Sequence, residues 1–462
     1  MSKLQCISPV DDSLYVEREL ATAAQIEAAL AKAEQAQRAW KTTPLSERVA
    51  IGRKAIAAFA AKEEQLAEEL CWMMGRPIRY CAGEVRGLVE RASHMADIAE
   101  NALADIRLPD KPGFTRFIRR EPLGVALIIA PWNYPYLTAV NAVMPALLAG
   151  NAVLLKHSAQ TPLCAERMVE AFVEAGLPDG VFQYLHLSHA DTERLIQAPA
   201  VQYVAFTGSV PGGAMVERAA AGRFIGTGLE LGGKDPAYVR ADADLAHAVE
   251  TAIDGAFFNS GQSCCGIERI YVHEALFEAF VEQAVALVKR YKLGRPDDPA
   301  TTLGPLVRAE AADFVRRQIN EALAQGATAH IDPSSFALDR PGSAYLAPQV
   351  LTNVYHGMRV MTEESFGPVV GIQKVRDDEE ALALMNDSEF GLTAAIFSRD
   401  AEAALALAER VEAGTVFLNR CDYLDPALAW TGVKHSGRGC TLSSIGYEQL
   451  TRPKSFHFKT QL

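Results

Sequence analysis

The chain of 462 residues is longer than one ordinary domain, so two or three domains are expected. Apolar residues make up 49% and charged residues 22%, which is typical of a globular protein with a large core. The net charge of −12 and the lack of a basic block argue against nucleic acid, and mildly against anionic membranes, as partners.

The N-terminal residues and the cysteines bear on cellular location. The start of the sequence is polar and lacks the apolar region of a secretory signal, so a cytoplasmic location is expected. The most apolar stretches are interrupted by Pro, Gly or Asn and are too short for a membrane span. The eight cysteines are scattered without zinc-type spacing, which favours reduced thiols and predicts no structural metal.

Helical periodicity is the first local signal along the chain, and it predicts helices from about residue 22 to residue 70. The alternating "FTRFIRRE" then predicts an exposed strand, and the apolar run "GVALIIA" predicts a strand buried on both faces. The strands "AVLLKH", "VFQYLH" and "VQYVAFTG" follow, separated by helical segments. This alternation indicates a parallel sheet in a doubly wound α/β domain.

A second cycle of strands and helices begins after "LELGGKDPAYV", where a domain boundary is expected. The strands predicted there are "RIYV", "VVGIQKV", "AAIFS" and "GTVFLN". The C-terminal "SFHFKTQ" alternates again. Because an exposed strand invites pairing with another chain, this tail and "FTRFIRRE" together predict an arm used in oligomerisation.

The glycine-rich segments do not match the common nucleotide-binding patterns. "GTGLELGG" lacks the spacing of a dinucleotide fingerprint, and "GSVPGGAM" has Ala214 where a phosphate-binding loop needs lysine. "FTGS" still ends a strand and opens a helix, whose free N–H groups could hold a phosphate. Taken alone, a turn without a ligand is the commoner interpretation of such a segment.

Four motifs point together to one family: "PWNYP", "LELGGKDP", "FFNSGQSCC" and "EESFGPVV". With "GNAVLLKHS", "FTGS", "GTVFLN" and "GVKHSGRG", their order resembles the aldehyde dehydrogenase superfamily from about residue 5 to the C-terminus. The resemblance implies a non-acylating enzyme that oxidises an aldehyde to a carboxylic acid through a cysteine thiohemiacetal and thioester. NAD or NADP would be reduced in the process.

The resemblance also implies an α/β architecture with three parts. A doubly wound parallel-sheet cofactor domain would comprise residues 1–103 and 123–232, and an α/β catalytic domain would comprise residues 233–432. A small β oligomerisation element would comprise residues 104–122 and 433–462. A homodimer or homotetramer is expected.

Three residues match the catalytic positions of the family. Cys264 follows the G-Q-x pattern and is the implied nucleophile, so its neighbour Cys265 is interpreted as a packed side chain. Glu230 in "LELGG" is the implied base that activates water for thioester hydrolysis. Asn133 in "PWNYP" is the implied oxyanion donor, together with the backbone N–H of Cys264. Taken singly, Glu230 fits a capped or salt-bridged surface acid better than a base, and Asn133 fits a turn residue equally well.

The cofactor positions are implied in the same way: Trp132, Gly208 and Ser209 at the pyrophosphate, Lys156 at the adenosine ribose, Glu364 at the nicotinamide ribose, and Phe366 against the ring. Ala159 stands where many relatives carry a glutamate that repels a 2′-phosphate. With Lys156 and His157 as nearby cations, tolerance of NADP, or preference for it, is expected. His157 fits a solvent-facing filler equally well.

The substrate tunnel is expected to involve Tyr136, Thr138, Asn141, Ser263, Cys265 and Trp430. Asp422 and Asp425 add acidic groups at its mouth, which would favour aminoaldehydes over carboxylated aldehydes such as succinate semialdehyde. The sequence leaves the aldehyde itself open. Ala142 replaces a lysine that supports the mobile glutamate in many relatives, so the route of the proton is left open as well.

Two alternatives to aldehyde oxidation are consistent with the same residues. The first is a cofactor-independent esterase or thioesterase that uses the same cysteine and glutamate. The second is an inactive scaffold that keeps the fold. The presence of Cys264, Glu230 and Asn133 together argues against a scaffold.

Overall fold

Two sheets, one of six strands and one of seven, organise the computed structural model, which describes residues 3–461. The strands are β1 (Lys3–Ile7), β2 (Leu14–Glu19), β3 (Ile106–Arg107), β4 (Phe114–Pro122), β5 (Val125–Ala130), β6 (Ala152–His157), β7 (Phe182–Tyr184), β8 (Val201–Thr207), β9 (Gly226–Glu230), β10 (Asp235–Val239), β11 (Ile267–His273), β12 (Thr328–Ala329), β13 (Gln349–Thr352), β14 (Val369–Val375), β15 (Phe390–Gly391), β16 (Thr393–Phe397), β17 (Thr415–Leu418), β18 (Val433–Lys434), β19 (Gly437–Arg438) and β20 (Thr451–Lys459).

The helices cover both faces of these sheets. They are α1 (Ala23–Trp40), α2 (Leu45–Ala60), α3 (Glu63–Met74), α4 (Ile78–Ala102), α5 (Pro135–Ala149), α6 (Pro162–Glu174), α7 (His189–Gln197), α8 (Val210–Ala220), α9 (Leu245–Phe257), α10 (Phe277–Val288), α11 (Ala309–Ala324), α12 (Arg359–Thr362), α13 (Asp378–Asn386), α14 (Ala401–Ala408) and α15 (Ser443–Gln449). None of those helices, within residues 3–461, combines the length and the hydropathy that a membrane crossing requires.

The first sheet has the order β19-β9-β8-β5-β6-β7. Strands β5 to β9 run parallel, and only the short β19 at the edge is antiparallel. All six residues of β5 are buried, as the run "GVALIIA" predicted. Apolar residues of α1 pack on one face, and those of α5 and α6 pack on the other. The predicted doubly wound α/β fold is therefore confirmed.

The second sheet has the order β12-β13-β14-β11-β10-β16-β17 and is parallel except for β12. The chain enters it at Asp235, shortly after leaving the first sheet at Glu230. Residues of α9 and α10 pack on one face, and residues of α11, α13 and α14 pack on the other. The second cycle of strands that the sequence predicted is present.

A third sheet, of order β20-β4-β3, is antiparallel and largely exposed. Strand β20 pairs with β4 along its whole length, from Thr451 opposite Pro122 to Lys459 opposite Phe114. The predicted strands "FTRFIRRE" and "SFHFKTQ" are thus real, and they pair with each other within the chain.

The topology of the first sheet brings the key loops together. Because β5, β6, β8 and β9 are parallel, their carboxyl ends meet at one edge of the sheet, where open α/β sheets bind ligands. The loops at that edge carry Asn133, Ser158 and Ser209, and β9 itself ends at Glu230.

Candidate active site

The loop that carries Cys264 has an unusual backbone. It follows a short 3-10 turn, Phe258–Gly261, in which Asn259, Ser260 and Gly261 have φ of 52°, 58° and 72°. Left-handed conformations cost a residue with a side chain roughly 1–3 kcal/mol, so the surroundings must hold this turn in place. Ser260 Oγ donates to the carbonyl of Gly304 over 2.8 Å. This hydrogen bond attaches the turn to the segment between α10 and α11.

Two glycines let neighbouring motifs approach this loop. A Cβ atom on Gly233 would overlap with the carbonyl oxygen of Cys264, and one on Gly261 would overlap with the carbonyl of Gly367. Backbone contact of this kind is possible only without a side chain. The structure thus joins "LELGG", "FFNSGQSCC" and "EESFGP" at one place, although they are far apart in sequence.

A buried arginine, Arg76, connects the Cys264 loop with the segment that carries Asn133. Arg76 Nη1 lies 2.6 Å from Glu84 Oε2, and both residues are nearly inaccessible to solvent. The guanidinium also donates from Nη2 to the carbonyl of Asn133 over 2.6 Å and from Nε to Asn259 Oδ1 over 3.1 Å. Arg76 therefore fixes the Asn133 backbone relative to the loop that carries the cysteine.

The Asn133 side chain faces the same loop. It is buried, and its Nδ2 donates to the carbonyl of Gln262 over 3.2 Å. Gln262 is held in turn, since its Oε1 accepts from the backbone N–H of Val307 over 2.8 Å. The predicted trio is brought to one site: Cys264 and Glu230 line the same cavity, and Asn133 contacts the Cys264 loop.

Glu230 is partly buried at the end of β9. Its Oε1 accepts a hydrogen bond from Thr441 Oγ1 over 2.6 Å, and its Oε2 accepts from Thr207 Oγ1 over 3.1 Å. Burial raises the pKa of this carboxyl, and the two hydroxyls offset only part of that effect. A carboxyl with a raised pKa, beside a cysteine, is suited to exchanging a proton with water.

The cavity in front of Cys264 has a volume of about 1230 Å³, part of it open to solvent. Its wall contains four of the six predicted substrate residues: Thr138, Asn141, Cys265 and Trp430. Ser263 lies just behind the wall, where its Oγ donates to Asp422 Oδ1 over 3.2 Å.

Tyr136, which was predicted to line the tunnel, points the other way. Its side chain is fully buried, and its ring packs edge-on against Phe59 with centroids 4.9 Å apart. Thr138 and Asn141 are three residues apart and share one face of α5, whereas Tyr136 precedes Thr138 by two and lies on the opposite face. Tyr134, one residue before the helix, occupies the cavity wall instead.

Cys265 also has a defined partner. Its Sγ donates to Asp422 Oδ1 over 3.0 Å, and its contact with Cys264 together with burial raises the pKa of the Cys265 thiol. Burial raises the pKa of Asp422 to about 6. Asp422 is therefore part of the cavity wall, while Asp425 is exposed and accepts from the backbone N–H of Ala427. The two acids do not form one negative patch.

The predicted cofactor residues lie along the carboxyl edge of the first sheet and across from it. Trp132 and Phe366 are in edge contact, with ring centroids 5.7 Å apart. Ser209 caps helix α8, and its Oγ accepts from the backbone N–H of Gly212. Gly208 lies in the turn before that helix, where a Cβ atom would overlap with the ring of Phe206.

Glu364 reaches the same region from the second sheet's domain. Its Oε1 accepts from the backbone N–H of Gly233 over 2.9 Å, and a Cβ on Gly232 would overlap with its carboxylate. Burial and the nearby Glu268 raise the pKa of Glu364 to about 7. The partly buried acceptor Glu364, an aromatic pair and a helix N-terminus fit a dinucleotide with hydroxyl, ring and pyrophosphate groups.

His157 is neither a cation nor a solvent-facing filler, which corrects both expectations for it. The ring is buried, with Nε2 within 3.1 Å of the Pro135 carbonyl and Nδ1 within 3.1 Å of Thr161 Oγ1. Burial lowers the pKa of His157 to about 3, so the imidazole is neutral. Lys156 is partly exposed to solvent, and with His157 neutral it supplies the positive charge at this end of β6.

Several residues of the site were not found from the sequence: Arg76, Glu84, Arg91, Thr207 and Thr441. Arg76, Glu84 and Arg91 are buried, and Thr207 and Thr441 are partly buried. Sequence periodicity alone assigns such polar residues to the surface. Among residues 3–461, no group of three or more His, Cys, Asp or Glu side chains is arranged to hold a metal ion.

Comparison with known proteins decides the family. The model of the aldehyde dehydrogenase family matches residues 1–456. The chain belongs to the aldehyde dehydrogenase family. The reaction of this aldehyde dehydrogenase is the oxidation of an aldehyde to a carboxylic acid with reduction of NAD or NADP. The esterase and the inactive scaffold are accordingly disfavoured.

Relatives cover nearly the whole enzyme. A succinate-semialdehyde dehydrogenase [NADP(+)] of Deinococcus radiodurans is 38% identical over 93% of this chain and 90% of its own. A succinate semialdehyde dehydrogenase [NAD(P)+] of Escherichia coli is 36% identical over 93% of this chain and 92% of its own. The solved structure of a succinic semialdehyde dehydrogenase from Streptococcus pyogenes with NADP+ matches with a TM-score of 0.94 at 30% identity, covering 99% of this chain and 100% of that one.

Proposed function

We propose that this aldehyde dehydrogenase oxidises a carboxylated semialdehyde, of which succinate semialdehyde is the best candidate, with NADP+ as the preferred cofactor. One structural observation supports this choice of substrate. Arg91 in the cavity wall is a buried guanidinium without a carboxylate partner among residues 3–461. The substrates named for the relatives from Deinococcus radiodurans and Escherichia coli agree with a carboxylated aldehyde.

Arg91 uses only part of its hydrogen-bonding capacity. Its Nη1 donates to the carbonyl of Leu137 over 3.0 Å and to Asn141 Oδ1 over 3.2 Å. No atom of residues 3–461 accepts from its Nε or Nη2. Burial lowers the pKa of Arg91, which reflects the cost of keeping this charge away from water. A substrate carboxylate would offset that cost, because the guanidinium fork binds carboxylates through two parallel hydrogen bonds.

The nearby acids do not compete for the same role. Glu84 is paired with Arg76, and Asp422 accepts from Cys265 and Ser263. The preference for cationic aldehydes expected from Asp422 and Asp425 is therefore less well supported than a preference for anionic ones. Tyr134 Oη, buried in the same wall, has no hydrogen-bond partner among residues 3–461 and could serve a polar substrate.

In the proposed mechanism, the thiolate of Cys264 attacks the aldehyde carbon and forms a thiohemiacetal. The developing oxyanion accepts hydrogen bonds from Asn133 Nδ2 and from the backbone N–H of Cys264, a type of contact worth about 10²–10³ in turnover. The cofactor, when bound, supplies the acceptor for the hydride of the aldehyde carbon. Glu230 then takes a proton from water, which hydrolyses the Cys264 thioester to the carboxylic acid and the free thiol.

The cofactor would be held by Trp132, Gly208 and Ser209 at its pyrophosphate, by Lys156 at its adenosine ribose and by Glu364 and Phe366 at its nicotinamide end. Ala159 leaves space and no negative charge beside Lys156, which favours a 2′-phosphate. This supports NADP+ over NAD+, with Lys156 rather than His157 as the cation.

The domains and the assembly belong to the same proposal. We assign residues 1–103 and 123–232 to the cofactor domain, 233–432 to the catalytic domain, and 104–122 with 433–462 to the oligomerisation element. The exposed outer edge of β20 supports a homodimer or homotetramer, because such an edge is usually covered. Sedimentation equilibrium of the intact chain would measure the assembly. The cytoplasmic location stays a prediction.

The deciding experiment compares aldehydes that differ only at the far end. We expect kcat/KM for succinate semialdehyde to exceed that for butanal, which lacks the carboxylate, and that for 4-aminobutanal. Arg91→Gln should lower kcat/KM for succinate semialdehyde about 30-fold, equivalent to about 2 kcal/mol for hydrogen bonds to a charged group. It should change kcat/KM for butanal by less than about threefold, because butanal makes no such hydrogen bonds.

Arg86→Gln is the matched control. Arg86 lines the same cavity five residues earlier on α4 but is exposed and already bonded to Glu63. This variant should leave kcat/KM unchanged for both succinate semialdehyde and butanal. Equal losses for succinate semialdehyde and butanal in Arg91→Gln, or a wild-type preference for 4-aminobutanal, would exclude Arg91 as the carboxylate-binding residue.

A further inference from the structure

Glu268 on β11 is a buried carboxylate that the proposed mechanism does not use. It is 4% exposed, and its Oε2 lies 2.5 Å from the Nζ of Lys234, which is 1% exposed. A buried ion pair adds little net stability, because the cost of removing both charges from water offsets their attraction. The pair is therefore better explained by what it holds in place.

The Glu268 carboxylate binds the backbone of the loop between α12 and β14. Its Oε2 accepts from the N–H of Ser365 over 2.7 Å, and its Oε1 accepts from the N–H of Phe366 over 2.9 Å. Lys234 completes the arrangement, since its Nζ also donates to Ser365 Oγ over 3.1 Å. One buried ion pair thus holds two consecutive residues of the loop by three hydrogen bonds.

The loop needs this support because its backbone is strained. Phe366 has a φ of 53°, in the left-handed region that a residue with a side chain rarely adopts. The hydrogen bond from its N–H to Glu268 acts at the strained residue itself. On the other side, a Cβ on Gly367 would overlap with Val315 of α11, so the loop packs closely there too.

The loop carries the two residues proposed for the nicotinamide end of the cofactor, Glu364 and Phe366. Glu364 Oε1 accepts from the backbone N–H of Gly233 over 2.9 Å. Lys234 follows Gly233 directly, so its ion pair with Glu268 fixes both the donor of this hydrogen bond and the loop that carries the acceptor. The position of the Glu364 carboxylate therefore depends on Glu268.

We propose that Glu268 is a positioning residue that holds the loop of residues 364–367 in the conformation that receives the nicotinamide end of the cofactor. The inference rests on the proposed function, which assigns Glu364 and Phe366 to that end. Both oxygens of Glu268 are already bonded, to Lys234 and to the two backbone N–H groups. The side chain therefore acts through the loop and does not itself contact the cofactor.

Replacement of Glu268 by glutamine tests the inference, because glutamine keeps the shape and has only one acceptor oxygen. Its NH2 group would face Lys234 or a backbone N–H, all of which are donors. By titration calorimetry on the intact chain, we expect the Kd for NADP+ to rise at least about fivefold in Glu268→Gln. The Kd for adenosine 2′,5′-bisphosphate, which lacks the nicotinamide half, should change by less than about twofold.

Two further variants separate positioning from stability. Glu268→Asp keeps the charge opposite Lys234 but withdraws the carboxylate by about 1.5 Å, the length of one carbon–carbon bond. It should raise the Kd for NADP+ at least about threefold, and it gives the answer if Glu268→Gln does not fold. Glu69→Gln is the matched control, since the buried Glu69 of α3 is paired with Arg167 over 2.7 Å. It should lower the unfolding temperature and leave both Kd values unchanged.

The pH dependence of NADP+ binding is a readout that a packing role would not move. The charged groups that act on Glu364 are Glu268 and Lys234, and Arg269 lies beyond them, bonded to the carbonyl of Lys234. Burial, and after it the negative charge of Glu268, raise the pKa of Glu364 to about 7. Without that charge the pKa of Glu364 falls, so the loss of NADP+ affinity on acidification should begin at a lower pH in Glu268→Gln than in wild type.

Cys264 lies four residues before Glu268, so the integrity of the catalytic loop needs its own measurement. The rate at which iodoacetamide alkylates Cys264 without cofactor, followed by tandem mass spectrometry, reports on that loop. This rate should stay within about twofold of wild type in Glu268→Gln, because both oxygens of Glu268 bond to other segments.

Three outcomes would overturn the inference. They are a Kd for NADP+ that is unchanged in Glu268→Gln and Glu268→Asp, an equal loss of affinity for adenosine 2′,5′-bisphosphate, or a Cys264 alkylation rate that falls together with the affinity. Failure of the proposed function looks different. Glu364→Gln would then bind NADP+ as tightly as wild type, which would remove Glu364 from the cofactor site and the inference with it.

Discussion

Replacement of Arg76 by methionine tests the claim that the ion pair with Glu84 organises the active site. Arg76 is 2% exposed and Glu84 1% exposed, so the change leaves a carboxylate buried without its countercharge. Breaking a buried pair in this way costs about 3–5 kcal/mol. We expect the lower end, about 3 kcal/mol, because Glu84 Oε1 still accepts from the backbone N–H groups of Tyr136 and Leu137.

Calorimetry of the variants measures this effect. For a domain of about 200 residues, 3 kcal/mol corresponds to a fall of about 6–12 °C in the transition temperature. The double variant Arg76→Met with Glu84→Gln should recover about half of that fall. Glutamine can still accept from the backbone N–H groups of the helix, but it leaves no unpaired charge buried. Turnover should fall in both variants, since Asn133 loses its anchor.

The comparison can contradict the reasoning in two ways. One is a transition temperature of Arg76→Met indistinguishable from wild type. The other is a double variant whose loss equals the sum of the two single losses, which would mean that the two side chains do not interact.

Two further predictions concern the cofactor. Ala159→Glu should lower the ratio of kcat/KM for NADP+ to that for NAD+ at least about tenfold, because a carboxylate beside Lys156 repels a 2′-phosphate. Ala159→Gln, of equal size but without charge, should leave the ratio unchanged. An unchanged ratio in Ala159→Glu would show that Ala159 does not determine cofactor preference. Because the pKa of Glu364 is raised to about 7, its ionised, hydrogen-bond-accepting form is lost as the pH falls through that value. The KM for the cofactor should therefore rise below about pH 7, and Glu364→Gln should have a higher KM without that pH dependence; a flat wild-type KM would contradict this role.

The first sheet was largely predictable from the sequence because its strands are short, continuous apolar runs between helices. β5 and β6 follow "GVALIIA" and "AVLLKH" closely. The N-terminal hairpin of β1 and β2 was missed, because its buried positions are few and lie between polar residues. Local alternation is a weak signal when a strand buries only one face over five or six residues.

Helix α4 was missed for a different reason. It contains Gly83 and Gly87, which weaken any helical pattern, yet a Cβ on Gly87 would strike Leu137 of α5. The glycine is there because the two helices pack closely, and this is tertiary information. Glu84 and Arg91 lie on the same helix, so missing it also meant missing the polar residues that it brings to the active site.

The site itself was predictable where backbone motifs carry it and unpredictable where buried polar side chains do. Cys264, Glu230 and Asn133 were identified from their motifs, and the structure brings them together. Thr441 and Arg91 had no signal of their own, because a threonine after a cysteine or an arginine on a helix is ordinary in sequence. Their roles depend on the cavities that the fold creates around Glu230 and Thr138.

The most direct test of the central claim is reduced-cofactor formation from succinate semialdehyde and NADP+ by the wild type, Cys264→Ser and Cys265→Ser. The adjacent cysteine is the matched control, since serine at position 265 can still donate to Asp422. We predict formation by the wild type and by Cys265→Ser, and none by Cys264→Ser. Formation by Cys264→Ser at a rate near wild type, or its loss only in Cys265→Ser, would contradict the assignment of Cys264 as the nucleophile.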